Sequence, residues 1–214
     1  MVIFHKYFIL NKKYYKSNLE IQLSAITSLY ISIKLNYFYC NIEVFSKAIL
    51  KILEQNETNI DVQILDLEQK ILAKIGFDLN IDLPYHYVEL MINYLKVNLH
   101  NSANNFIQIT TNFINDSFKQ PICLYYDPLL IALSCVLLTT NLFNVNLPDV
   151  EGKHWYNINE DAVNYESLIE IANLMKNMYQ IISIPSNKAI LHSDINSVKK
   201  TIKIKRKQSN KHKN

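Results

Sequence analysis

Apolar positions along this chain recur at helical spacing almost throughout, and strand-like alternation is not sustained. Residues 2–10 predict a first helix on Val2, Ile3, Phe4, Tyr7 and Phe8. Ser17 or Asn18 can cap a second helix over about 19–35. Its apolar residues (Leu19, Ile21, Leu23, Ala25, Ile26, Leu29, Ile31, Ile33) lie on nearly every side, which predicts a buried position at the centre of a bundle. Asn41 starts a third helix, with Ile42, Phe45, Ile49 and Leu53 on one face. After the polar stretch 55–59, a fourth helix runs over about 60–75 and stops at Gly76, the expected left-handed residue beyond a helix end. In this helix Leu65, Ile71, Leu72 and Ile75 are expected to form the buried stripe, with Glu68 at its edge. Pro84 opens a fifth helix, reaching about Val97.

The second half repeats this plan. Residues 102–118 are amphipathic, with Phe106, Ile109, Phe113 and Ile114 facing inward. Asp127-Pro128 begins a helix to about Asn141 that is again apolar all round. A short helix near 153–158 and a longer one over 165–182, stopped by Pro185, complete the pattern. A shift of 107 residues pairs Leu23 with Leu130, Ala25 with Ala132, Ile31 with Leu138 and Ser32 with Thr139. Small residues along both central helices allow close helix approach.

Composition narrows the function. Of 214 residues, 49% are hydrophobic and 19% charged, enough to bury a core. Two glycines, Gly76 and Gly152, exclude a phosphate-binding P-loop, a kinase glycine loop and a dinucleotide fingerprint. No histidine pair, Cys/His cluster or GxSxG elbow occurs, so neither a metal centre nor a nucleophile is indicated, and no cofactor is expected. Cys40, Cys123 and Cys135 are few, odd in number and far apart, the pattern of free thiols in a reducing compartment. No signal peptide is evident, and the longest apolar run, Leu129–Leu138, is half of the roughly 20 residues needed to span a bilayer. The net charge is +3, yet eight of the 22 basic residues lie in 199–214 with no acid, which leaves 1–198 at −5. An acidic body is poorly suited to phosphate backbones. The basic tail, with Lys199, Lys200, Lys203, Lys205, Arg206 and Lys207, is a candidate nuclear-import or nucleic-acid-contacting segment, or a solvating lysine-rich terminus.

What remains is a pair of charges among apolar residues. Lys34 ends the second helix, where a lysine facing the C-terminal dipole needs no further role. Glu68 lies in LDLEQKIL at a core boundary. Pattern alone leaves open whether these two are ordinary helix residues or a docking pair.

The local sequence bears on that choice. ILDLEQKILAKIGFDLNIDLPYHYV (64–88) resembles the fourth-to-fifth helix segment of the cyclin box, in the version found in transcriptional cyclins of the T, K and L types. FHKYF (4–8) resembles their His-Arg-Phe segment, and LSAITSLYISIKL (23–35) the central helix ending in the cyclin lysine. PLLIALSCVLLTTNLFNVNLP (128–148) resembles the second repeat's central helix, and EGKHWYNI (151–158) the Gly-Lys-His-Trp-Trp stretch of cyclin T. The resemblance covers about 1–182. It implies an all-α tandem cyclin-box fold, two five-helix bundles each around a buried central helix: a first box over 1–98 lacking its N-terminal part, a second over 99–184, and a flexible basic tail over 185–214.

The resemblance further implies a nuclear, non-enzymatic regulatory subunit that binds and activates a cyclin-dependent kinase in transcription, through phosphorylation of RNA polymerase II. In this family a Lys–Glu pair bonds backbone groups of the kinase just before its αC helix, and an apolar patch receives that helix. The matching residues are Lys34 and Glu68, with Leu35, Leu72, Phe77 and Leu79 as the patch. No membrane is expected, and nucleic acid only through the tail. There are departures: Asn36 and Tyr37 stand where acidic residues commonly follow the cyclin lysine, His5 where many cell-cycle cyclins have Asp, Lys6 for a usual Arg, and Met1 falls inside the first helix. Two other readings stay open, an adaptor like transcription factor IIB and a cyclin-fold scaffold that does not activate.

Overall fold

The structure is a computed structural model describing residues 1–11, 17–54, 59–99, 102–149, 152–157 and 163–183. Eight helices follow one another among these residues: α1 (Val2–Asn11), α2 (Asn18–Leu35), α3 (Ile42–Leu53), α4 (Ile60–Lys74), α5 (Tyr85–Leu99), α6 (Ala103–Ser117), α7 (Pro128–Phe143) and α8 (Tyr165–Ser183). Single 3₁₀ turns lie at Pro121–Leu124 and Trp155–Asn157. The described chain is all-α, and local chemistry explains where the helices begin and end. Ser17 caps α2, its hydroxyl accepting from the Glu20 N–H, and the Asn41 side chain does the same for Glu43 at the start of α3. Pro128 occupies the first turn of α7 behind Asp127, and Pro84 directly precedes α5.

The chain divides into two compact units, residues 1–171 and 172–214. In the first, α2 packs on α4 and α1, α3 on α4, and α5, α6 and α7 on one another. One apolar cluster joins Ile3 and Tyr7 of α1, Ile31 of α2 and Ile71 and Ile75 at the end of α4. A second joins Tyr30, Phe45, Ile60 and Ile64. Around α7, ten consecutive residues from Ile131 to Thr140 are buried. This is the all-round burial that its composition predicts. Leu168 and Ile171 of α8 are also buried. The described part of the second unit is the remainder of α8, where Ala172, Met175 and Met178 are buried.

Three expectations need correction. The second helix is not buried on all sides: Leu19, Ala25 and Leu29 are exposed, and the buried face is Ser24, Thr27, Ser28, Tyr30 and Ile31. Composition alone could not reveal this, because small hydroxyl residues form the close face. Their hydroxyls bond back to carbonyls four residues earlier, Ser28 to Ser24 at 2.7 Å and Thr27 to Leu23 at 2.8 Å, so they enter the interior satisfied. In α4 the buried stripe is Ile60, Ile64, Glu68, Ile71 and Ile75, while Leu65 is exposed. Ile71 and Ile75 are buried as expected, but Ile60 and Ile64 stand in place of Leu65, Leu72 is only half-buried, and this partial rotation puts Glu68 within the stripe, not at its edge. The predicted helix near 153–158 is a 3₁₀ turn over Trp155–Asn157, and its last expected residue lies outside the described residues.

Candidate functional site

Rotation of the α4 stripe carries Glu68 to the inner side of α4, against α2. There its Oε1 accepts a hydrogen bond from Lys34 Nζ at 2.6 Å. The two partners are unequally wet: the Glu68 side chain keeps 10% of its exposure and that of Lys34 48%. A carboxylate at this depth needs a charged partner, and the half-exposed lysine provides it from the rim. Tyr30, one turn earlier, puts its ring 5.1 Å beneath the ammonium, a second favourable contact for the cation. Tyr30 is itself buried against Phe45, so the ring is a fixed platform. The i, i+4 spacing of Tyr30 and Lys34 was available as a sequence signal, and only the burial of Tyr30 shows its use. An ammonium has three donors, and one is spent on Glu68. The half-exposed head therefore keeps donors facing outward beside an acidic group.

Both helix ends near this pair close in the same way. At the end of α2 the Tyr37 N–H bonds Lys34 O and the Phe38 N–H bonds Ile33 O. At the end of α4 the Gly76 N–H bonds Ala73 O and the Phe77 N–H bonds Leu72 O. Both are Schellman closures, which require a left-handed residue just past the helix. Gly76 supplies it in α4 with φ +68°, whereas α2 uses Tyr37 at +59°. Phe77 is left-handed as well, at φ +55°. Two bulky aromatic residues in this region are outliers that the surrounding hydrogen bonds must hold in place.

The predicted apolar patch is of two kinds. Phe77 is 67% exposed, and Leu35 is also exposed. Leu72 and Leu79 are half-buried and pack against the cluster of Ile3, Tyr7, Ile31, Ile71 and Ile75. The first two stand out from the surface, and the other two tie that surface to the core. A further brace is Lys6 of α1, whose Nζ meets Asp78 Oδ2 at 2.9 Å just beyond Phe77. That hydrogen bond and the lysine's charge hold the Asp78 carboxyl below the usual carboxylate range. The basic-tail candidates, Lys199, Lys200, Lys203, Lys205, Arg206 and Lys207, lie outside the described residues.

Sequence reasoning missed two features. One is His5, buried, with Nε2 2.8 Å from the Phe118 carbonyl. Its residue type gave no sign of a partner 113 positions away. The other is the run Tyr37, Phe38, Tyr39, which is almost wholly exposed. Among the described residues no three His, Cys, Asp or Glu side chains converge in a way that could hold a metal ion. No helix among them is long and apolar enough to cross a membrane.

No family model matches the chain. Individual proteins do. Cyclin-T1-5 of Arabidopsis thaliana is 31% identical over 124 residues, 58% of this chain and 20% of that protein. Cyclin-L1 of Homo sapiens is 25% identical over 166 residues, 72% of this chain and 30% of that protein. An uncharacterized cyclin-L1-like protein of Schizosaccharomyces pombe is 26% identical over 115 residues, 54% of this chain and 41% of that protein. The chain thus spans well under half the length of the curated relatives it matches. All of these relatives carry cyclin names of the T or L type, and the helical architecture fits a cyclin box. Over half of its length or more, the chain is similar to cyclins of the transcriptional T and L types.

Proposed function

We propose that this chain is a regulatory subunit that binds and activates a cyclin-dependent protein kinase in the nucleus, with RNA polymerase II as the phosphorylated target. The observation that carries the proposal is the Lys34–Glu68 pair, 2.6 Å apart, with exposed Leu35 next to Lys34 in sequence and exposed Phe77 just beyond the end of α4. A kinase segment passing over this pair offers both backbone carbonyls and backbone N–H groups. Lys34 can donate to the first, and Glu68 can accept from the second. Bonds to charged groups are stronger than neutral ones and are directional enough to set register. Leu35 and Phe77, backed by Leu72 and Leu79, would take the apolar side of a kinase helix, the helix-in-groove mode.

The chain itself then does no chemistry. It acts by binding the active conformation of the kinase more tightly than the inactive one, so that the kinase's own Lys–Glu pair forms and phosphoryl transfer proceeds. In this proposal residues 1–98 and 99–184 are the two cyclin boxes and 185–214 the basic segment that directs nuclear import. Affinity purification of the tagged chain, followed by assay of the bound material on a peptide of the polymerase C-terminal repeat, tests it. We expect a cyclin-dependent kinase and its activity to accompany the wild-type chain. Lys34→Ala with Glu68→Ala should weaken recovery by about tenfold or more, since groups at the centre of an interface dominate binding. The proposal fails if no kinase accompanies the wild-type chain, or if the double variant binds equally well.

A further inference from the structure

Ile3, Lys6 and Tyr7 share one face of α1 through their i, i+3, i+4 spacing. Ile3 and Tyr7 are buried in the cluster that holds Ile71 and Ile75 at the end of α4, and Leu79 packs against that cluster. Lys6 meets the same strip one residue earlier. Its Nζ donates to Asp78 Oδ2 at 2.9 Å and to Asp78 O at 3.4 Å. The pair is largely wet, with 25% of the Lys6 side chain and 61% of that of Asp78 exposed. An ion pair so exposed adds little to folding, so its effect lies in what it holds in place.

The neighbour it holds is Phe77. Gly76 and Phe77 are both left-handed, at φ +68° and +55°. The bonds that close α4 run from the Gly76 and Phe77 N–H groups to Ala73 O and Leu72 O. Both N–H groups precede the Phe77 N–Cα bond in the chain, so these bonds leave the Phe77 φ angle free. Rotation about that bond turns the ring and carries Asp78 with it. On its far side the chain is held by a long contact of 3.4 Å from the Asp78 N–H to Ile75 O, by the packing of Leu79 and by Lys6 on Asp78. We propose that Lys6 is a positioning residue for the docking surface: through Asp78 it keeps Phe77 left-handed, with its ring in solvent and set for the kinase. The proposal rests on the docking role of Phe77. A left-handed backbone is disfavoured for phenylalanine. A chain without the strap therefore spends part of its time with the ring displaced, and its apparent affinity falls in proportion to the competent fraction that is left.

The test measures the affinity of full-length variants for the kinase that accompanies the wild type, alongside urea unfolding of each variant. Lys6→Met should weaken binding by about fivefold or more with little change in the unfolding midpoint. Lys6→Arg can still pair with the carboxylate and should bind as the wild type does. Asp78→Ala should weaken binding to a similar extent as Lys6→Met, and the two together should do no more than either alone. In a Phe77→Ala background Lys6→Met should have no further effect, because no ring is left to position. A lysine that touched the kinase itself would weaken binding in both backgrounds. Wild-type affinity of Lys6→Met, an equal loss in both backgrounds, or a loss matched by a lower unfolding midpoint would overturn the role of Lys6. Phe77→Ala and Lys34→Ala/Glu68→Ala report separately on the docking surface. If they lose the kinase while Lys6→Met does not, the surface stands without the strap; if they bind normally, the surface falls and the strap with it.

Discussion

Replacing His5 by glutamine and, separately, by leucine divides its contribution into a hydrogen bond and a titration. The ring is buried in α1, and its Nε2 lies 2.8 Å from the Phe118 carbonyl, so the neutral form carries its proton on Nε2 and donates it. Glutamine can put an amide N–H where Nε2 stands and does not titrate. Leucine fills a similar volume and donates nothing. At pH 7.5 we expect the glutamine variant to retain most of the stability. The leucine variant should lose about 1–3 kcal/mol, the penalty for leaving a buried carbonyl unpaired.

The acid limb has a definite sign. Desolvation by burial is the largest influence and pushes the imidazole below its ordinary 6.5, outweighing the Phe118 hydrogen bond that favours the cation. The ring is also in the first half of α1, where the helix dipole opposes positive charge. A histidine with a lowered folded pKa gives its full stabilisation above 6.5. That stabilisation is lost as pH falls toward the folded value, with a limiting slope of about 1.4 kcal/mol per pH unit. Urea unfolding at pH 7.5, 6.5 and 5.5 checks this. The wild type should lose stability toward pH 5.5 relative to His5→Gln, and other titrating groups cancel in the comparison. Parallel pH profiles for the two proteins, or a leucine variant as stable as the wild type at pH 7.5, would refute the reasoning.

Glu68→Leu removes a carboxylate from an interior stripe and frees a half-exposed lysine, so the isolated chain should be about as stable as the wild type or slightly more stable by chemical denaturation, while kinase recovery falls. Lys34→Met leaves the carboxylate without its cation and should cost about 1–2 kcal/mol in the same assay, less than a fully buried pair because the ammonium is already half in water. Gly76→Ala meets no atom within 4 Å but must adopt φ +68°, so a loss of about 1–2 kcal/mol from conformation alone is expected. Phe106→Ala, at a fully buried position in α6, should lower stability by about 3–5 kcal/mol and mark the α5–α7 group as the better-packed part of the fold.

Helix positions were legible because their punctuation is local. Ser17, Asn41, Gly76 and Asp127-Pro128 fix ends through bonds within a few residues. α7 was legible as a buried helix because apolar residues cover every face. α2 has a similar composition and was misread. Its buried face includes Ser24, Thr27 and Ser28, small and internally hydrogen-bonded, while Leu19 and Leu29 face outward. Periodicity counts apolar residues and is blind to this exchange. The α4 stripe was misplaced for a related reason: a glutamate at its centre reads as an edge, and Leu65 beside it reads as core. Resemblance to the cyclin box singled out Lys34 and Glu68. The pattern of either helix alone could not, because the pair joins positions 34 residues apart.

The unequal exposure of that pair bears on why a glutamate occupies the α4 stripe at all. Leucine there would extend the apolar contacts of Ile64 and Ile71 and would need no counter-ion. A buried ion pair seldom gains stability over such a replacement, because desolvating the carboxylate offsets most of the Coulomb attraction. Here the attraction is weakened further by water around the ammonium. Stability of the free chain therefore does not account for Glu68. The geometry instead orients a cation: the carboxylate below and the Tyr30 ring beside it hold the Lys34 head in one place, and a lysine so held loses less rotamer freedom on meeting a partner. The same logic applies to Tyr37 and Phe77, each held left-handed at a helix end with its ring left in solvent. Strain and incomplete burial at the ends of the two helices that carry this pair of charges are easier to understand as a surface prepared for a second protein than as features of a chain that folds for its own sake.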